Sequence, residues 1–528
     1  MGRREAEMMI CRTIVLSLLS AFVSLHAGEA IPVEVVVYGG TAGGVMASMG
    51  AAKHGAKVVL LEPGRHVGGM VSGGLGHTDM DRQERVIGGL ALDFFRRVGR
   101  HYGQEVAWSF EPQVAEQTLN AMLSEAKVPV RFGQRLASVV KEGGRLRSLK
   151  TTDGAEFSGR VFIDASYEGD LMKAAGVSYT VGREGRERYN ESLAGRRELL
   201  PGRHQFSFAV SPWKDGRLLP YITPEERLVP TGAGDGKFQA YCFRLCLTDV
   251  PENRLPITRP EGYDSGRYEL LRRCFAAGGE KVQGMLGIAR LPKGKCDANS
   301  GGPVSTDLLG ANQDYPEGTP ERRARIWEEH RSWAHGLLYY LQNDPAVPER
   351  TRAEYARWGL CKDEFLDTGG WPHQLYIREA RRMAGEYILT QHDLMTNRRK
   401  HDCIGLAGYN IDIREVQWVS VRTFYFPKAE DQVYVEGYVS QPVEPWDIPY
   451  RALLPHFSEC QNLLVPVCAS ASTVAYASFR MEPQYMIAGH AAGVAAALAS
   501  GKGTAVHHVP IPELQRLLRE DGQVLDLP

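Results

Sequence analysis

Several things are missing from this chain. No two of its nine cysteines are spaced C-x-x-C and no two of its 15 histidines are spaced H-x-x-x-H. That leaves neither a zinc ribbon nor a zinc-hydrolase helix, and no metal site is expected. G-x-S-x-G is also absent, which removes the usual nucleophile elbow of a serine hydrolase. Neither sign of charge is in excess: 62 Lys and Arg stand against 63 Asp and Glu, a formal net charge of −1. Such a balance argues against a nucleic-acid partner or a polybasic membrane role.

The N-terminal apolar run, Thr13 to Leu25, follows Arg12 and leads to small residues at Ala27 and Ala30. It is too short to span a bilayer comfortably. A basic start, a short apolar centre and a small-residue exit read as a secretory signal over residues 1–30, so the location is secreted or periplasmic. Cleavage after Ala27 or Ala30 both fit, and Met8 or Met9 are alternative starts. No membrane span is expected in the mature chain. Eight cysteines remain after Cys11 is lost. Export permits disulfides, but the pairing is not legible, and buried thiols are the alternative.

What is present begins at Val33. Val33 to Tyr38 is apolar apart from Glu34, the pattern of a buried parallel strand. Gly39, Gly40, Gly43 and Gly44 follow, then a small-residue helix to Gly55, then KVVLLE as a second strand ending in Glu62. Gly39 permits the tight turn, and Gly44 permits close packing of the helix on the sheet. The helix start, with Ala42 and Gly43, offers free N–H groups and a partial positive charge to a pyrophosphate. Thr41 stands where the middle glycine of G-x-G-x-x-G is expected, and its hydroxyl is expected to donate to a phosphate. Glu62 lies 23 residues after Gly39, placed to accept from ribose hydroxyls, which disfavours a 2′-phosphate. Beyond it, six glycines fall between Gly64 and Gly76. That loop, with Gly68, Gly69 and Met70, suits backbone laid against a large flat ligand, and favours a flavin over a nicotinamide.

GGTAGGVMAS, the E-x5-GGM spacing, FEPQVAEQ (110–117) and FIDASYEGDLMKAAGVSYTVGRE (162–184) together resemble a family of secreted bacterial FAD-dependent oxidoreductases. The resemblance runs on through QAYCFRLCLT, GWPHQLYIREARRMAGEY, IPYRALLP, NLLVPVCASAS and RMEPQYMIAGHAAGVAAALA. It implies FAD as cofactor and an α/β fold: an FAD/NAD(P)-binding Rossmann-like domain of the glutathione-reductase type with an inserted α+β substrate or cap domain. The implied divisions are 31–184 and 441–528 for FAD and 185–440 for the cap. It further implies that backbone near Leu136 faces adenine and that the strand end Asp164, Ala165, Ser166 lies by the cofactor. Two departures stand out. Arg414 is found where such proteins often carry histidine, and Cys242 where they often carry asparagine.

MEPQYMIAGHAAGVAAALASG reads as one helix, with Pro483 in its first turn and Gly501 at its stop. Its alanines and glycines allow close packing, and its start, Met481 and Glu482, is expected to point at the flavin, where the helix dipole stabilises added negative charge. A plain core helix is the alternative. Helical patterns are read at Arg322–Asn343 and Leu375–Leu394, the second carrying Arg378, Arg381 and Arg382 on two turns.

Flavin chemistry on a C–H or C=C bond needs a proton acceptor near N5 and often a cation for an anionic substrate. His373 is the first candidate base, His77 the second, and Arg378 the candidate cation, each weighed against a structural role. His66, just before Gly68-Gly69, is not at the spacing of a covalent flavin link, so noncovalent FAD is expected. No second G-x-G-x-x-G follows a strand after residue 90. Substrate and electron acceptor are therefore expected to meet the flavin in turn, the acceptor being oxygen, a quinone or a cytochrome. The reading is hydride transfer between N5 and a small organic molecule, with a carbohydrate-derived one suggested by export and the aromatic-rich middle. The alternative is an exported glycan-binding protein without turnover.

Overall fold

The computed structural model describes residues 30–78, 83–202, 204–279, 285–425 and 428–527. Residues 1–29 of the expected signal lie outside them. Among the described residues no helix is long and apolar enough to cross a membrane.

Val35–Tyr38 (β1), Ala42–Lys53 (α1) and Val58–Glu62 (β2) form the expected strand–helix–strand unit. β1 pairs in parallel with β2 (Val35 opposite Val58) and, on its other edge, with Val161–Asp164. Val130–Phe132 (β3) extends the sheet beyond β2. The expected hairpin follows as Leu136–Glu142 (β4) and Arg145–Thr151 (β5), with Glu156–Ser158 (β6) pairing onto β5. The chain then returns as Val161–Asp164 (β7). Much later, Leu463–Leu464 adds to the outer edge of β7, giving five parallel strands. Val35, Val36, Val37, Leu60, Leu61, Phe162 and Ile163 are all fully buried, as continuous apolar strands covered on both faces must be.

Gly89–His101 (α2) and Pro112–Glu125 (α3) contribute Leu90, Phe94, Phe95, Leu119 and Met122 to the core around α1. The middle of the chain builds a second, antiparallel sheet. Its strands are Leu245–Thr248 (β8), Arg254–Leu255 (β9), Leu286–Arg290 (β10), Lys295–Ser300 (β11) and Gly359–Cys361 (β12), in the order β9-β12-β8-β11-β10. Pro320–Asn343 (α4) covers the reading at Arg322–Asn343, with Thr319 as its cap and Pro320 in its first turn. Gln417–Tyr425 (β13) and Lys428–Glu436 (β14) form a long hairpin.

The long helix Glu482–Lys502 (α5), which is followed only by the shorter helix Ile511–Glu520 among the described residues, lies directly on α1. A side chain on Gly489 would overlap the Gly43 carbonyl oxygen, and one on Gly493 would overlap that of Ala47. Small residues thus let the two backbones touch. The stop is Gly503, left-handed at φ 65°, rather than Gly501, which is inside the helix.

The reading of Leu375–Leu394 as a helix is wrong. Arg381–Met383 is a strand paired with Tyr179–Val181, and only Gln391–Met395 is helical. Each arginine is instead drawn to different acids: Arg378 to buried Asp307, Arg381 to the partly exposed Asp170 and Glu317, Arg382 to buried Glu184 and Glu379. Three guanidiniums that need anions on different sides override a helical pattern that would have stacked them together. The eight described cysteines are all buried free thiols. Cys246 and Cys361 face each other across β8 and β12, sulfurs 3.8 Å apart.

Candidate active site

Gly39 takes φ 98°, a left-handed turn off β1 that an L side chain resists. A side chain at Gly44 would overlap the Gly39 carbonyl oxygen, so the turn closes only with glycine there. Thr41 caps α1: its hydroxyl oxygen accepts from Gly44 N–H at 3.1 Å and its proton goes to the Ala165 carbonyl oxygen at 2.8 Å. The expected donation from Thr41 to a phosphate is therefore corrected, because its single proton is already used to tie α1 to the end of β7. The N–H groups of Ala42 and Gly43 have no intrahelical acceptor in a first turn, which leaves them to face an anion.

The loop after β2 docks on this turn through Gly68 N–H to Gly40 O, 2.7 Å. Glu62 accepts from Gly40 N–H at 2.7 Å and from Gly64 N–H. Burial pushes its carboxyl up to about 7. A desolvated carboxyl at this strand end suits the two hydroxyls of a ribose. The Leu136 N–H is taken by the Tyr38 hydroxyl at 3.2 Å. Asp164 is wholly internal: it accepts from Ser166 N–H and hydroxyl and from Met172 N–H. It positions the turn at Ser166, and burial pushes its carboxyl up to about 6.

Beside this turn stands Tyr167, which the reading by sequence passed over although it adjoins Ser166. It accepts from Met70 N–H at 2.8 Å and donates to Glu482 Oε1 at 2.7 Å. The Gly69–Met70 turn, the end of β7 and the start of α5 thus meet at one hydroxyl. Features that would suit FAD are present: a glycine turn that a Cβ would fill, a helix start where the Thr41 cap takes Gly44 N–H and leaves those of Ala42 and Gly43, a carboxyl at the end of β2, and glycines at 73 and 74. Gly73 lies against Gln374 and Gly74 against Arg244, so the same loop leads to the middle of the chain.

His373 joins that loop. Its Nε2 is 3.5 Å from Ser72 Oγ, and its Nδ1 is buried without a hydrogen-bond partner among the described residues. Its ring stacks on His66, centroids 3.8 Å apart and planes 8° from parallel. Both His66 nitrogens are engaged, Nδ1 with Glu116 and Nε2 with Asp367, each at 3.0 Å. Hydrogen bonding to Glu116 raises the His66 pKa, while burial and then the charge of His66 lower His373 to about 3. His66, Glu116 and His373 offer ligand-type atoms within 4.8 Å of one another. With the two rings parallel, however, one ion cannot lie in both ring planes unless a ring turns. His77 is elsewhere on the loop: its Nδ1 meets Ser109 Oγ at 2.7 Å and its N–H donates to Asp297.

Arg378 is fully buried, against Asp307 at 2.8 Å, the Ala240 carbonyl oxygen, Cys242 Sγ and Ser300. Arg414 reaches the same Ser300 at 2.7 Å and the same Asp307 at 3.5 Å. The two positions that depart from the resemblance, Cys242 and Arg414, therefore sit around one carboxylate. Burial raises the Asp307 pKa, but Arg378 and Arg414 outweigh it and bring the carboxyl to about 2. Tyr376 lies under both Arg378 and Arg244, 4.8 and 5.5 Å from its ring centre. Asp307, Tyr376 and Ser72 were not legible beforehand, since no local motif marks them.

Among solved structures the chain is similar to Thermovibrio ammonificans THI4, at 21% identity over 34% of this chain and 74% of that one, with a TM-score of 0.23. A geranylgeranyl bacteriochlorophyll reductase-like protein from Thermoplasma acidophilum is matched at 12% identity over 94% of this chain and 85% of that one, TM-score 0.33. A flavin-containing monooxygenase from Stenotrophomonas maltophilia is matched at 20% identity over 30% of this chain and 43% of that one, TM-score 0.19, so less than half of that protein is spanned. A model of the FAD dependent oxidoreductase family matches residues 34–518. The chain belongs to that family and is an FAD-dependent oxidoreductase.

Proposed function

We propose that the protein transfers a hydride between flavin N5 and a small, neutral, hydroxyl-bearing molecule, carbohydrate-derived in class, outside the cytoplasm. Bound FAD supplies the two-electron chemistry. The chain supplies orientation and the proton acceptor. The observation that carries this reading is His373, whose buried Nδ1 lacks a partner among the described residues beside the loop that docks on the cofactor turn. Held at about 3 by burial and by His66, His373 is neutral under working conditions and presents lone-pair density to a substrate hydroxyl. A proton taken there is disfavoured by burial and by the neighbouring His66, so it leaves to solvent water and His373 returns to its neutral form.

Neutral substrate chemistry is favoured by the charge balance. Arg378 and Arg414 already share Asp307, and Arg244 holds Asp297 through two hydrogen bonds. Such paired guanidiniums orient a polyol without requiring an anion. The basic, apolar and small-residue order of residues 1–30 supports export, and export supports oxygen, a quinone or a cytochrome as acceptor. The test is anaerobic bleaching of the flavin by a panel of sugars and sugar-derived alcohols. His373→Ala is expected to slow bleaching by about tenfold or more. An unchanged rate removes His373 as the base, and an oxygen electrode then separates an oxidase from an enzyme that passes electrons to a carrier.

A further inference from the structure

Glu482 opens α5 with its side chain inside the protein, 1% exposed. Its Oε1 accepts the only proton of Tyr167, whose oxygen in turn accepts Met70 N–H. Its Oε2 is buried and has no hydrogen-bond partner among the described residues. The titratable groups that bear on it are Tyr167 and Tyr485, and neither is a cation. A buried carboxylate with one oxygen unmatched is strongly disfavoured, so that oxygen needs either a proton or a donor from a ligand.

Its surroundings say which ligand. α5 crosses α1 at Gly43, where an added Cβ would come 2.9 Å from the Tyr485 carbonyl oxygen. Glu482 is almost one turn nearer the helix start than Tyr485, towards the first turn of α1, where Ala42 and Gly43 keep free N–H groups beside the Thr41 cap. The Tyr167 hydroxyl that holds it rests against Gly69. Oε2 therefore lies where the three backbone pieces assigned to FAD converge.

We infer that Glu482 is a neutral carboxylic acid in the holoprotein and donates its Oε2–H to an oxygen of the phosphate–ribityl chain of FAD, with Tyr167 deciding which oxygen carries the proton. The inference rests on the FAD site described above. It is consistent with burial pushing this carboxyl up to about 8. Loss of the proton places a carboxylate beside the diphosphate, so cofactor affinity falls as pH rises through that value.

Binding of FAD to the apoprotein, followed by quenching of flavin fluorescence, tests it. From about pH 6 to about pH 9 the wild-type dissociation constant is expected to rise about tenfold or more. Glu482→Gln, which keeps a donor and cannot ionise, is expected to bind within about threefold of wild type at the acid end and to lose most of the pH dependence. Tyr167→Phe removes the donor to Oε1, which stabilises the charged form, and is expected to move the midpoint to higher pH. A Glu482→Gln protein that keeps the full pH dependence overturns the inference. So does one that is folded by circular dichroism yet binds more than about tenfold more weakly at the acid end, since the oxygen would then be an acceptor. Wild-type protein that binds no FAD at any pH overturns the cofactor site itself.

Discussion

At the scale of single residues, Thr41 shows how one hydroxyl changes role once its neighbours are known. In the strand–turn–helix pattern it is a departure from glycine at a phosphate site. In the fold it is a cap with a second bond to Ala165, joining α1 to β7. Thr41→Ser keeps both bonds and is expected to leave stability nearly unchanged. Thr41→Val removes both, and a loss of about 0.5–2 kcal/mol is expected from the cap alone. Urea unfolding of the two apoproteins checks this; equal midpoints would mean that the cap contributes nothing.

At the scale of elements, the contact of α5 with α1 carries the architecture. Both helices are almost wholly buried, and both are rich in glycine and alanine where they cross. Gly489→Ala must separate the two backbones or displace the Gly43 carbonyl, at a cost of about 1–3 kcal/mol or more. Because Gly43 belongs to the cofactor turn, the same change is expected to lower FAD retention through gel filtration. Gly501→Ala is the contrasting case. That glycine is exposed, helical and free of neighbours within 4 Å, so alanine is expected to stabilise by about 0.5–1 kcal/mol. Thermal unfolding of the pair separates packing from propensity: if both variants melt alike, close approach of the helices is not what the glycines serve.

At the scale of the whole molecule, buried carboxyls set the pH response of the apoprotein. Glu482 is pushed up to about 8, Glu364 to about 7 and Asp164 to about 6, in each case chiefly by burial. For an acid with a raised folded pKa, the folded state holds protons that the unfolded chain has released, so stability falls as pH rises through that interval. Below about pH 6.5 the trend is opposed by buried histidines such as His330 and His373, whose lowered pKa leaves the unfolded chain with more protons. The apoprotein melting temperature is therefore expected to fall from about pH 6.5 to about pH 8.5. A flat or rising curve over that interval would show that these carboxyls are ionised in the fold.

Local pattern was enough for the strand, glycine turn, helix, strand and acid from Val35 to Glu62. In that unit each residue's role depends on neighbours a few positions away and on the period of burial. The same holds for α4, read from its helical pattern at Arg322–Asn343, and for the small-residue helix α5. Tertiary structure alone decided the rest. Leu375–Leu394 has helical spacing, yet its arginines are pulled apart by acids distant in sequence, at 170, 184, 307 and 317. His373 was legible as a histidine in a glycine-rich turn. Its stacking on His66, and hence its lowered pKa, depends on a loop 307 residues earlier in the chain. Glu482 was legible as the first residue of a helix, but its unmatched oxygen is known only once the fold buries it and Tyr167, 315 residues away, takes the other oxygen. Propensity and periodicity act over a few residues, whereas desolvation and charge pairing act over whatever the fold brings within a few ångströms.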